Sequence, residues 1–180
     1  MANYGNISGS TQTGKDGGYK PTLYFAEVED VLTWERPSGA GAALGDTLTI
    51  DTAHVLVAAK SVHSWDCKKF SAKVTGAAIG DPGAHLILWT AVVVINGDNA
   101  PTQEQVIRML NDNKVVWLKD ADCINNNGYI QLGDDCNPVE VSPAFDSKDN
   151  GPTGGQKEYT LTITSLKKYF YSAALPVPAP

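Results

Sequence analysis

The residues to weigh first are those whose type and spacing could run a reaction or hold an ion. Gly9-Ser10-Thr11-Gln12-Thr13-Gly14-Lys15 has the spacing of a phosphate-binding loop, with four residues between two glycines and then lysine. Such a loop cradles phosphate with oriented backbone amides, and it needs a strand before it, a helix after it and Ser or Thr following the lysine. Here Asp16 follows and neither flank fits, so no nucleotide site is read. Asp146-Ser147-Lys148-Asp149-Asn150-Gly151 opens like a calcium loop. Lys148, however, stands where an oxygen ligand is required, and Lys157 stands where a bidentate glutamate would close the shell. A polar turn between two strands is the expectation. His54, His63 and His85 have no metal-ligand spacing to one another or to a cysteine pair, and none sits beside a Gly-flanked serine. The carboxylates Asp134-Asp135 and Glu27, Glu29 and Asp30 read as solvated turn or strand-face charges. No catalytic residue, metal ligand or cofactor site is therefore assigned, and the chain is read as a non-enzyme.

Cysteine and tryptophan add little chemistry. Cys67, Cys123 and Cys136 are odd in number and far apart, so buried or idle thiols are expected, although Cys123 and Cys136 flank a hairpin-like stretch and could approach. Trp34, Trp65, Trp89 and Trp117 lie mostly in apolar strand patterns and are assigned to core; the competing use is the sugar platform of a carbohydrate-binding β-sandwich. The 180 residues carry 20 acidic and 14 basic side chains, a formal charge of −6. With 42% hydrophobic and 19% charged residues the chain is globular, and its acidity argues against a nucleic-acid reader built on a basic face.

The elements that would position any site are mostly strands. Seventeen Gly and ten Pro favour many turns over a helical bundle. Period-two patterning marks strands at Leu23 to Val28, Thr47 to Asp51, Phe70 to Val74, Tyr129 to Leu132 and Val139 to Phe145, and most plainly at Tyr159, Leu161 and Ile163 interleaved with threonines. Leu86 to Ile95 is apolar on both faces and is expected as a central covered strand; at about ten residues it is far short of the ~20 that span a bilayer, so no membrane span is read. Pro101-Thr102-Gln103-Glu104-Gln105 predicts a helix with Thr102 as its N-cap and Val106, Ile107 and Leu110 on one face, followed by a strand from Lys114 to Leu118. The fold expected is mainly β, a β-sandwich or open barrel with one short flanking α-helix at about residues 102–112. Residues 21–172 form the single β-rich domain. Residues 1–20, Gly- and Ser-rich and without a secretory signal, read as an extended arm of a product that starts in the cytoplasm. The alternating prolines of residues 173–180 read as an extended tail.

Two outward-reaching ends on a β body without catalytic motifs suit a self-assembling subunit, because arms that order on a neighbour lock copies together and open sheet edges continue from one copy to the next. Tyr4 and Ile7 of the arm, and Arg36, Pro37, Gly39 and Leu44 of the long, nearly uncharged loop after Trp34, are the candidate subunit-interface residues.

The order of several segments adds a resemblance. Gly45-Asp46-Thr47-Leu48-Thr49-Ile50, the helix ending in Leu110-Asn111-Asp112, Tyr129-Ile130-Gln131-Leu132-Gly133-Asp134, Pro138-Val139-Glu140-Val141 with Phe145-Asp146-Ser147, and Gly154-Gly155-Gln156-Lys157-Glu158-Tyr159-Thr160-Leu161 together resemble structural proteins of bacteriophages infecting Bacteroidetes, similar in plan to tail tube proteins. It spans about residues 20–172. The resemblance implies a virion protein made in the host bacterial cytoplasm, assembled into stacked hexameric rings around a DNA conduit, with itself and other virion proteins as partners and no specific DNA binding. A capsid decoration or head-fibre protein is the alternative virion role. An acidic wall would let DNA slide, and Glu27, Glu29 and Glu140 are the candidate lumen-facing acids. Glu27 and Glu29 would share one face of the first strand, with Asp30 on the other.

Overall fold

A computed structural model describes residues 18–37, 39, 45–121, 128–149 and 155–178. The patterned segments become strands β1 (Tyr19–Glu27), β2 (Val31–Thr33), β3 (Thr49–Ile50), β4 (Val55–Leu56), β5 (His63–Asp66), β6 (Lys73–Ile79) and β7 (Leu86–Asn96). Helix α1 (Ala100–Asn111) follows, and then β8 (Lys114–Asp120), β9 (Tyr129–Leu132), β10 (Glu140–Asp146), β11 (Glu158–Ser165), β12 (Lys168–Tyr171) and β13 (Val177–Pro178). They form three sheets, none closed among the described residues, in the orders β3-β12-β9-β8-β1-β5, β10-β11-β7-β6 and β13-β4-β2. The four-stranded sheet is wholly antiparallel. The other two are mixed, because β12 runs parallel to β3 and β13 parallel to β4. The fold is mainly β, as the turn-rich composition requires.

Two cores divide the molecule. The larger joins Leu23, Phe25, Val116 and Leu118 of the six-stranded sheet to Val93, Leu161 and Ile163 of the four-stranded sheet. The smaller lies on the other side of the six-stranded sheet, around Val115, Trp117, Tyr171, Ile50 and Leu56. Alternation along β8 produces the split: Val116 and Leu118 point one way, Val115 and Trp117 the other, and all four are fully buried. The expected strand at Tyr159, Leu161 and Ile163 buries those three side chains and leaves the intervening threonines half-exposed.

Several sequence expectations need correction. Helix α1 starts two residues earlier than expected, and its N-cap is Asn99, whose side-chain oxygen accepts from the Thr102 N–H at 2.9 Å. Thr102 is already inside the helix. The buried face is Val106 and Met109, whereas Ile107 and Leu110 are half-exposed. The sequence from Thr47 to Asp51 is a 3₁₀ turn (Asp46–Leu48) followed by a two-residue strand. Phe70 is not in a strand: β6 begins three residues later, and Phe70 has the left-handed φ of 63°. The expected outward-reaching tail is partly docked, since Ala173 is buried and Val177–Pro178 pairs with β4. Among the described residues, no helix is long and apolar enough to cross a membrane.

The N-cap assignment is testable. An N-cap oxygen satisfies an amide that has no partner within the helix, so Asn99→Ala should lower unfolding stability by about 1 kcal/mol, while Thr102→Ala should stay within about 0.5 kcal/mol of the parent. Urea unfolding midpoints of the two variants measure this.

Candidate functional site

The unusual surface of this molecule is the far half of the β6–β7 hairpin. Strand β6 is the outer strand of the four-stranded sheet and, among the described residues, nothing pairs with its other side. It reads Lys-Val-Thr-Gly-Ala-Ala-Ile, with one charge at its start and no proline. Proteins usually blunt such edges with charge, proline or bulges. The opposite edge of the same sheet follows that rule, because β10 carries Glu140, Pro143 and Asp146. Beyond Trp89 the hairpin leaves the core. Ala77 pairs with Leu88, Ala78 with Ile87 and Ile79 with Leu86, and Leu86 and Ile87 are 58% and 48% exposed. The expectation of cover on both faces therefore holds only for the second half of β7, where Ala91, Val93 and Ile95 are buried.

Local chemistry keeps this hairpin in shape. Gly76 lies against the Trp89 ring, where an added Cβ would come within 2.7 Å of ring carbon Cζ3. Lys168 covers that indole, with Nζ 4.4 Å from its ring centroid, and burial lowers the Lys168 pKa. At the tip, Gly80 adopts φ 97° and packs so closely that a Cβ would meet the Ala84 carbonyl oxygen at 2.8 Å, while the Ala84 N–H donates to the Asp81 carbonyl.

A second exposed feature is Phe70, which is 100% exposed. A left-handed backbone in a non-glycine residue costs on the order of 1–3 kcal/mol and persists only where neighbours impose it. Here the turn is clamped to β7: the Lys68 N–H donates to the Val94 carbonyl at 2.7 Å, the Ser71 hydroxyl donates to the Lys68 carbonyl at 2.7 Å, and the Val94 N–H donates to Ser71 Oγ at 3.1 Å. Lys68 Nζ pairs with Glu158 at 2.8 Å. An open groove of about 530 Å³ lies between Phe70 and the start of β1, and among the described residues nothing covers the ring.

The loop candidates divide. Tyr4, Ile7 and Leu44 lie outside the described residues, as do the Gly9–Lys15 stretch and Cys123. Pro37 is half-buried, and Gly39 is exposed with φ 62°. Arg36 is anchored: its guanidinium binds Asp135 and lies 3.7 Å from Asp134. Asp134 is buried and is not a solvated turn charge. Its carboxylate accepts from the Cys136 and Asn137 N–H groups at 3.0 and 2.7 Å and from the Tyr169 hydroxyl at 3.0 Å. Burial, and then that bond, push the Tyr169 pKa up to about 12. Asp134, Asp135 and Cys136 place ligand atoms within 4.8 Å of one another, but Arg36 already supplies the cation to both carboxylates.

The acid candidates end up together, though not by the strand alternation expected. Strand β1 stops at Glu27 and Val28–Asp30 is a 3₁₀ turn, so Glu27 and Glu29 do not share a strand face. Asp30 is buried against Lys60 at 2.7 Å. Glu27 and Glu29 flank one notch with Asp112 and Asn113, and Glu140 flanks a neighbouring notch with the same two residues. All three acids therefore surround the C-terminal end of α1. Lys114, buried, offsets part of their charge from 3.0 Å off Asp112 and 3.6 Å off Glu27.

Sequence reasoning missed the polar knot at the loop root. His54 is fully buried: Nδ1 accepts from the Glu35 N–H at 3.0 Å, so Nε2–H donates to Gln131 Oε1 at 2.8 Å. The same oxygen accepts from the Trp117 indole N–H at 3.0 Å. No motif signals such a knot, because its members are 77 and 14 residues apart. The calcium-like turn is a set of ion pairs in which Lys148 bridges Asp146 and Glu158. Cys67 is buried enough that its thiol pKa rises to about 11. The tryptophans are largely covered, with Trp117 fully buried, Trp65 packed on the main core and Trp34 set at a tilt against the His54 ring, 5.0 Å between centroids. Comparison with protein-family models, with curated proteins and with solved structures finds no match to this chain.

Desolvation lowers the His54 pKa, against the weaker opposing pulls of the Gln131 bond and the charges of Glu35 and Asp135, with Arg36 reinforcing it. The unfolded chain then binds the proton more readily than the folded one. His54 supports the fold fully above its ordinary pKa of about 6.5 and progressively less as pH falls below it. The urea midpoint should therefore drop between about pH 7 and pH 5. His54→Gln should start lower at pH 7 and lose that component of the slope; an unchanged slope would refute the assignment.

Proposed function

We propose that this chain is a self-assembling structural protomer, a β-sandwich whose β6–β7 hairpin continues its sheet into a second copy. The observation that carries the reading is the uncharged, apolar outer half of β6, unpaired among the described residues, together with Leu86 and Ile87. A monomer that kept this edge bare would be an aggregation hazard, whereas a copy seated on it buries the side chains and satisfies the free backbone groups at once. The half-exposed Ile107 and Leu110 on α1 give the surface a further apolar patch.

Within this reading the specific form that fits the segment order is a virion structural protein, with the tail tube protomer as its leading case: rings, six-fold in the resembling family's plan, stacked around a passage for DNA. The formal charge of −6 per chain and the gathering of Glu27, Glu29 and Glu140 at one end are compatible with a wall that phosphates do not stick to. A head decoration protein would instead stay small and bind preformed shells. A sugar-binding module is less favoured, because Lys168 covers the Trp89 indole and all four tryptophans pack in or against the two cores.

Negative-stain microscopy and sedimentation of the purified chain test this. Rings or tubes with a central hole are expected, and Ala77→Lys with Ile79→Lys should weaken self-association at least tenfold, about 1.4 kcal/mol, with an unchanged far-UV spectrum. A parent chain that stays strictly monomeric at high concentration would refute the reading.

A further inference from the structure

Phe70 and the end of α1 form a knob and a hole at opposite ends of one strand. The knob stands beside Tyr19 and Ala121, just past the end of β8. The hole opens beside Asp112 and Asn113, just before β8 begins. Seven strand residues separate them, about 23 Å at the usual rise of a strand. The hole, about 260 Å³, has buried Met109, Val139 and Val141 at its base and half-exposed Leu110 with Asp112 and Glu140 around its mouth.

The two surfaces differ in charge. Phe70 follows Lys68 and Lys69, and Lys20 lines the same groove. Lys20 and Lys69 make no ion pair among the described residues, although Asp66 and Asp120 lie at this end and Glu158 answers Lys68. The hole's rim is acidic, and Glu27 and Glu29 stand next to it across Asp112. A pairing of two knob ends would bring like charges together, so the patch is not suited to a symmetric dimer.

We propose that Phe70 of one copy enters the hole between α1 and β10 of the next, making a head-to-tail contact between two copies of this chain. A wholly exposed aromatic ring on a turn whose backbone is clamped to β7 is an available anchor, and a hole of this volume with Met109, Val139 and Val141 at its base admits one phenyl ring. Because the two partners use different surfaces, the contact is heterologous and passes from copy to copy, closing into a ring or running on as a filament. This rests on the self-assembly reading and names a second surface for it, separate from the β6 edge.

Phe70→Gly removes the anchor and suits the left-handed backbone, so the variant should fold with a melting temperature equal to or above that of the parent. Leu110→Glu blocks the hole at a half-exposed position. Each variant alone should lose head-to-tail association at least tenfold in sedimentation velocity. An equimolar mixture should form pairs that do not extend, since one good knob meets one good hole. Raising salt should weaken the parent contact, and Lys69→Glu should be rescued by Glu140→Lys in the same chain. Assemblies of Phe70→Gly as long as those of the parent would overturn this inference and leave the β6 reading standing. A parent that stacks head to tail but never grows sideways would do the reverse. Pairing of each variant with itself but not with the other would also overturn the inference, because it marks a symmetric contact.

Discussion

Alternation along β8 is the constraint on which the rest of the fold hangs. Val115, Val116, Trp117 and Leu118 are all fully buried, yet consecutive side chains in a strand must point to opposite faces. A strand with both faces dry needs cover on both sides. The four-stranded sheet supplies one cover, and Val31 and Leu56 of the three-stranded sheet, with Trp34 and Ala173, supply the other. A one-residue slip of β8 would exchange the two sets and place Trp117 in a core shaped for Val116 and Leu118. Its registers with β1 and β9 hold the strand against that slip.

The second core is smaller and contains polar groups, which makes it specific. Trp117 has an indole N–H that cannot be buried without an acceptor, and Gln131 of the adjacent strand provides it while also binding His54. The His54 backbone N–H in turn donates to the Tyr171 hydroxyl at 3.0 Å. Fixing His54 fixes Glu35, and one residue further the Arg36 guanidinium is held by Asp134 and Asp135. The start of the long loop is thereby tied through side chains to the centre of the six-stranded sheet. Buried Lys114 plays a comparable part at the other end of β8, drawing Glu27 and Asp112 together and so shaping the acidic notches.

Against these well-satisfied interiors the exposed features stand out. In the core, polar atoms find partners: no buried side-chain nitrogen or oxygen among the described residues lacks one. At the surface, the bare β6 edge, the apolar hairpin tip and the strained Phe70 all depart from what a solitary domain favours. Departures of this kind concentrate where a molecule meets its partners, and here they occupy separate surfaces.

Much of the β architecture was legible in the sequence, because period two survives wherever one side chain in two meets a core. Tyr159, Leu161 and Ile163 are the clearest case, and Tyr129 to Leu132 is recovered as a strand with the same ends. The misreadings have physical causes. Thr102 matched a capping pattern, but Asn99 stood one turn earlier and offered a better oxygen. Phe70 carries the side chain of a strand residue, yet its backbone is set by hydrogen bonds to a strand more than twenty residues away. The strands β2, β4, β5, β12 and β13 were not seen, since a short or polar strand has no periodicity to display and exists only because a partner is there to pair with. What the sequence determined by itself was local: a turn-rich, acidic, mainly β chain with one short helix. Only the tertiary structure decided which apolar residues are core and which are left outside. Leu86 and Ile87 belong to the same apolar run as Val93 and Ile95, and hydrophobicity is the same in both halves. The difference is whether a second sheet lies within reach, and that depends on residues distant in the chain.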